Sequence, residues 1–257
     1  TALLVDVSPP LSIDAEPIGP GEGETIAARR LLQRVLKEFR FIGVVTMDAL
    51  FLEAPILRLI VEAGKGAVVV LKQENRQLHR EAMALIASIP PQQGEVRGAP
   101  TRIWDVKELR HWESMEDIPV RVVRSETTRK LRERIARQWV EKEETSTWMW
   151  AVVGTACHLS AIEICRIGHD RWDIENLGYN VMDRYFALDH CFKHASQAIL
   201  NFILTLFLAA VLSECFLARN LKPQLRKGMS LAGLARLLLE AVAGKPSIRL
   251  WKPASSP

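Results

Sequence analysis

No pair of cysteines has the CxxC spacing, and the four present (Cys157, Cys165, Cys191, Cys215) are scattered through 257 residues. A disulfide framework is thereby disfavoured, and a reducing, cytoplasmic setting is expected. The first residues lack a basic region followed by an apolar stretch, so no signal peptide is read. No serine or cysteine sits in a GxSxG elbow, which leaves nucleophilic catalysis without support. The glycine-rich "GPGEGE" at 19–24 lacks the Lys-Ser/Thr ending of a phosphate loop, and its acids would repel phosphate. The apolar run "AILNFILTLFLAAVL" (198–212) is 15 residues long, contains Asn201 and Thr205, and is soon followed by Glu214. Spanning a bilayer takes roughly 20 apolar residues, so a buried core helix is the better reading. His190 and His194 in "LDHCFKH" share a helix face, but the other histidines supply no second pair of zinc ligands. Capping and hydrogen bonding explain that stretch better.

Hydrophobic content of 48% is enough for a substantial core, and a net charge of +4 permits a polyanionic partner without requiring one. "ALLVDV" and "LSIDAEPI", separated by Ser8-Pro9-Pro10, read as a hairpin. A helix with Leu31, Leu32, Val35, Leu36 and Phe39 on one side follows. "FIGVVTM" reads as a buried strand ending at Asp48, then a helix near 54–63 closed by Gly64. "AVVVL" is a second buried strand, ending at Lys72, before a helix at about 75–87. This alternation predicts a parallel, layered α/β sheet, with ligands gathered beyond the strand carboxyl ends, where Asp48 and Lys72 fall.

From Pro90 to Gly154 the texture changes. "PPQQGEVRGAP" reads as a linker, and "TRIW", "IPVRVVRSET", "RQWVEKEE" and "TSTWMWAVVG" as short strands, the last two forming a hairpin. "RKLRERIAR" (129–137) reads alternatively as a helical turn or two. After Ser160 the chain is helical to near Ala243, and the tail is loose. The expected division is 1–89, first part of the core; 90–154, a β-rich insertion; 155–243, a helical remainder; and 244–257, the tail.

In "GHDRWDIENLGYN" (168–180), helical pitch would set Arg171 and Glu175 one turn apart, beside an apolar stripe of Ile174, Leu177 and Val181. Such a pair either stabilises an exposed helix by roughly 0.3–0.5 kcal/mol or belongs to a site. Asp48 reads either as a cap for the next element or as a metal ligand; hard divalent cations take oxygen ligands. Arg121, Arg124, Arg129, Lys130, Arg132, Arg134 and Arg137 form one basic cluster, and Arg219, Lys222, Arg226 and Lys227 a second. With Glu126, Glu133 and Glu141 interspersed, the first cluster is either a solvated face or a surface that contacts DNA phosphates.

With these residues in hand, the chain resembles the DDE transposases of bacterial insertion sequences. More narrowly, it resembles the cut-and-paste group whose third acid lies in a Tyr-x-x-Arg-x-x-x-Glu-(six residues)-Lys signature. "RWDIEN" carries the Arg171–Glu175 part, and "VVTMDALF" the strand ending in the second acid, Asp48. "EPIGPGEGE", "KQENRQL" and "LDHCFKHASQAILNFILTLF" follow in family order, so the likeness covers about Leu3 to Leu239. The resemblance implies a ribonuclease-H-like α/β core interrupted by a β-rich insertion. It implies metal-assisted phosphoryl transfer, with two Mg²⁺ (or Mn²⁺) ions held by the acids activating a water or a DNA 3′-hydroxyl. Arg171 would contact phosphate near the scissile bond. Lys72, Arg129, Arg132, Arg134 and Lys193 are the expected DNA contacts. The implied partners are transposon ends and target DNA, with a homodimer in a synaptic complex and no membrane.

Three departures stand out. Gly168 occupies the signature tyrosine position, and Met182 falls where the lysine belongs. The first acid would lie on a strand upstream of the 2–18 hairpin, so the chain reads as an N-terminally truncated, inactive fragment; Asp6 and Asp14 are poor substitutes. The competing expectations are a DNA-binding remnant without turnover and a membrane-associated helical protein built around 198–212.

Overall fold

The computed structural model describes residues 1–72, 76–110, 115–135, 138–190, 195–221 and 230–243. The chain divides into two units. The first is formed by 1–2 with 13–174, and the second by 3–12 with 175–257.

Strands β1 (Ala2–Leu4) and β2 (Leu11–Asp14) pair as the expected two-stranded sheet. In the first unit lies α1 (Glu24–Glu38), whose buried side is Ala27, Leu31, Leu32, Val35 and Leu36. Asp14 and Glu16 are committed to α1: Arg34 bonds both, and Arg30 reaches Glu16 and Glu22. The Arg30 hydrogen bond holds the Glu22 carboxyl down to about 2.

β3 (Val44–Met47) and β4 (Gly66–Val70) run parallel, joined through α2 (Ala54–Glu62) as a right-sized crossover. Gly64 closes α2 at φ +72°, a left-handed conformation that favours glycine. The expectation of a parallel sheet holds for this pair alone among the described strands. After α3 (Gln77–Ile86), strands β5 (Gln92–Val96), β6 (Ala99–Leu109), β7 (Val120–Ile135) and β8 (Gln138–Gly154) are antiparallel neighbours. β8 also pairs antiparallel with β4, giving one six-stranded mixed sheet in the order β3-β4-β8-β7-β6-β5.

Three readings of this region change. The supposed linker at 90–100 is a hairpin, because Arg97 (φ 51°) and Gly98 (φ 75°) form a two-residue turn between paired Val96 and Ala99. "RQWVEKEE", from Gln138 onward, and "TSTWMWAVVG" are one strand rather than two, and residues 129–135 are strand rather than helix, with 136–137 outside the described residues. Local helix propensity in "RKLRERI" is overridden by the ladder that pairs it, residue by residue, with 138–144. Outside that region, β3 is half-buried rather than buried, since it lies at the sheet edge.

The sheet's alternation feeds two cores. Ala67, Val69, Val122, Met149, Ala151 and Val153 face α1, α2 and α3, through Leu36, Ile56, Leu57, Ile60 and Leu78. Val68, Val70, Val123, Trp150 and Val152 face the other way, against Ile164 and Cys165 of α4 (Ala161–Asp170). Helices thus cover both faces of the sheet, the layered α/β architecture expected. α4 starts with a capping box in which Ser160 accepts from the Glu163 N–H and Glu163 accepts from the Ser160 N–H. Arg121 of β7 is only 5% exposed; it is held by Asp105 at 2.8 Å and donates to the carbonyls of Cys157 and Leu159. It braces the α4 entry and is not part of a basic surface.

The second unit holds a π-helical turn (Ile174–Tyr179, beginning one residue before the boundary), α5 (Asn180–Phe186), α6 (Ser196–Arg219) and α7 (Leu231–Val242). The π turn changes the expected face. Its i→i+5 bonding inserts a residue per turn, so Gly178 and Met182 are buried, whereas Leu177 is 46% exposed. α6 also departs from expectation. It runs 24 residues, and an 18-residue stretch of it has a mean hydropathy of 2.1, long and apolar enough to cross a membrane by length and composition, with only 6% of that stretch buried. Phe207 and Leu217 are its buried residues, whereas Leu204, Leu208, Leu212 and Phe216 are exposed at four-residue spacing. A helix that is apolar all round reads as core on composition, but composition does not say which faces acquire neighbours.

Candidate active site

The acid at the end of β3 is a cap first. Asp48 has extended dihedrals (φ −77°, ψ 168°), and its Oδ1 accepts the Ala49 N–H at 2.8 Å, starting a 3₁₀ turn over Ala49–Phe51. The capping reading is therefore realised, yet it leaves the carboxylate 41% exposed at the carboxyl end of a sheet strand. Two cations converge on it. Lys72, two residues beyond the buried β4, places Nζ 3.6 Å from Oδ1, and Arg171, at the end of α4, places a guanidinium nitrogen 3.9 Å from Oδ2.

Each cation has an aromatic neighbour. Lys72 lies over Trp148 at 5.9 Å and Arg171 over Trp172 at 5.6 Å. The two indoles meet edge to face, with centroids 4.8 Å apart. His169 packs behind them, 5.6 Å from Trp148 and 5.2 Å from Trp150. Burial, aided by the positive charges of Arg97 and Arg129, pushes its imidazole down to about 4, so it is neutral at pH 7. These aromatics were not singled out from sequence. The signal was available in "WMW", because strand alternation puts Trp148 and Trp150 on the same face.

Gly168 has a clear structural reason. A Cβ there would be driven into the indole of Trp150, which is fully buried on the sheet beneath α4. Trp150 takes the space that a tyrosine in the helix would need. Met182, at the signature lysine position, is 2% exposed and offers no cation. Glu175 lies in the second unit, exposed, in the π turn. Such turns occur frequently at functional sites.

The expected DNA contacts divide. Arg129 and Arg132 are exposed on the outer part of β7, opposite Glu144 and Glu141 of β8, and Arg132 bonds Glu141 at 3.1 Å. Arg134 shares that strand, but its side chain lies outside the described residues, as does Lys193 altogether. Arg124 is half-buried, stacked on Trp104 and bonded to Glu126. Among the described residues no group of three or more His, Cys, Asp or Glu side chains gathers as a metal site. The donor chemistry of Asp48 itself suits a hard divalent ion, being an exposed carboxylate at a rigid strand end. Burial pushes the Cys165 thiol up to about 12 and raises that of Cys157, so both of these stay protonated at pH 7.

One exposed carboxylate at a strand terminus and two cations, each over an indole, thus share a single patch of the first unit. A sequence model of the family described as Transposase DDE domain matches residues 22–212. That stretch is well over half of the chain, and the chain belongs to this family. No curated protein matches it.

Proposed function

We propose that this transposase domain cleaves DNA strands and joins them to target DNA by metal-dependent phosphoryl transfer, with Asp48 and Glu175 as the ligating acids. The observation that carries the reading is the convergence of Lys72 and Arg171 on Asp48 at the carboxyl end of β3. Mg²⁺ or Mn²⁺ bound by these acids would supply activation of a water or 3′-hydroxyl and stabilisation of the leaving oxygen. Arg171 holds a non-bridging oxygen of the scissile phosphate through a guanidinium fixed against Trp172. Lys72 contacts the same backbone. Arg129, Arg132, Arg134 and Lys193 contact phosphates farther from the reacting bond. Transposon ends, target DNA and a second copy in a synaptic complex are the partners, and the cytoplasm is the setting.

The experiment is Mg²⁺-dependent nicking of supercoiled DNA by the wild type, Asp48→Asn and Glu175→Gln. Loss of nicking in both variants, with folding retained, supports the reading. Nicking that persists in both overturns the assignment. A second reading is favoured by the lack of a three-acid cluster among the described residues. In it the domain binds DNA without turnover, and the wild type retards DNA yet nicks none with either metal.

A further inference from the structure

We infer that Lys72 is a movable counter-ion of Asp48 that makes capture of a divalent metal depend on bound DNA. The inference rests on the reading of Asp48 as a metal ligand. The two cations beside that carboxylate are not equivalent. Arg171 has a side chain only 9% exposed and a planar guanidinium against Trp172, so it is fixed. Lys72 is 54% exposed, on a flexible four-carbon stem anchored just after a buried strand. Trp148 and Trp172, in mutual edge contact, carry one cation each.

A divalent ion bonded to Asp48 at about 2.0–2.1 Å would lie within roughly 6 Å of both cations. By Coulomb's law, even at the dielectric constant of water, a double and a single positive charge at that separation weaken binding about tenfold for each cation. Without DNA, then, the protein's own lysine holds the place of the metal's charge. A phosphodiester reverses the balance, because its oxygens accept Lys72 and offer further ligands to the metal. Lys72 moves from carboxylate to phosphate, and Asp48 is released for the ion. The order of assembly is DNA before metal, which keeps the domain from carrying an activated water in the absence of its substrate.

The test uses Mn²⁺ as the probe, with free Mn²⁺ read from its electron paramagnetic resonance signal. The protein is titrated alone and with saturating short duplex, and binding to duplex alone is subtracted. The wild type is expected to bind Mn²⁺ at least about tenfold more tightly with duplex. Lys72→Met should bind it about tenfold more tightly than wild type without duplex and gain little on adding duplex. Lys72→Arg should behave as wild type. Asp48→Asn separates the two levels of the argument. If it binds Mn²⁺ like the wild type, the metal-ligand reading itself is wrong. If it loses Mn²⁺ while Lys72→Met matches the wild type without duplex, the ligand reading stands and the counter-ion role is overturned. Circular dichroism verifies folding, which an exposed lysine leaves intact.

Discussion

At the base of the β7–β8 hairpin, Val122, Val123, Trp150 and Val152 are fully buried between layers of helices. Toward the tip, beyond Thr127, the same two strands pair with each other and with no third strand among those described. There Arg129, Lys130 and Arg132 stand opposite Glu144, Glu143 and Glu141, and Trp139 is 68% exposed. The ladder of backbone hydrogen bonds is continuous, so backbone pairing does not distinguish the two regions. What differs is the second contribution: burial at the base, worth roughly 1.5–3 kcal/mol per large side chain, against exposed cross-strand ion pairs worth about 0–1 kcal/mol. The stable part of the hairpin is thus the part that positions Trp148 under Lys72, and the tip is free to vary.

The largest effect should come from the base. Trp150→Ala is expected to destabilise the domain by about 3–5 kcal/mol in urea unfolding, because it empties the space between β8 and α4. Gly168→Ala should cost about 1–3 kcal/mol through overpacking against the same indole. Combined, the two should cost less than their sum, since the new methyl enters the vacated space. Strict additivity would show that Trp150 does not set the glycine.

Next in size is Arg121→Met, expected to cost about 3 kcal/mol. It strands the partly buried Asp105 and removes the donors to two carbonyls. A change below about 1 kcal/mol would place Arg121 with the solvated tip arginines.

The pH response of His169 should be intermediate. Its folded pKa is about 4 against an ordinary 6.5, so between these values the unfolded chain binds more protons. Stability contributed by the neutral imidazole is full above about pH 6.5 and is lost as pH falls toward 4, by at most about 1.4 kcal/mol per unit. The stability difference between wild type and His169→Phe should therefore be constant above pH 7 and shift against the wild type from pH 6.5 to 4.5. A difference that does not change with pH would mean the histidine is solvated.

The smallest effect belongs to the tip. A double-mutant cycle on Arg132 and Glu141, both exposed, should give a coupling under about 0.5 kcal/mol. Replacing Arg129, Arg132 and Arg134 together by Gln should leave stability unchanged and flatten the dependence of DNA affinity on salt. An unchanged salt slope would show a solvated face, with the opposing glutamates having already neutralised it.

Periodicity and punctuation made much of this domain legible in advance. The apolar side of α1, the Gly64 stop, the buried β4 and the placement of Asp48 and Lys72 at strand ends all follow from local rules, because each depends on residues within one or two turns. The Arg171 and Glu175 pattern was likewise visible as a motif. What local rules missed depends on distant partners. Residues 129–135 became strand because 138–144 pair with them, and Arg121 became a buried brace because Asp105 and two carbonyls receive it. Whether α6 was core or exposed rested on neighbours that its own composition cannot name.

The sequence alone determined where three charged side chains fall: an acid after one strand, a lysine after the next, and an arginine near the end of a helix. Tertiary structure decided that Lys72 and Arg171 meet on the same carboxylate, and that each stacks on a tryptophan. It also decided that Trp150 fills the space where Gly168 leaves room. The physical reason is range. Capping and alternation act between neighbours along the chain, whereas ion pairs and packing also act between residues as distant in sequence as Asp48 and Arg171 or Lys72 and Trp148, which only the pairing of β4 with β8 and the seating of α4 bring within a few ångströms.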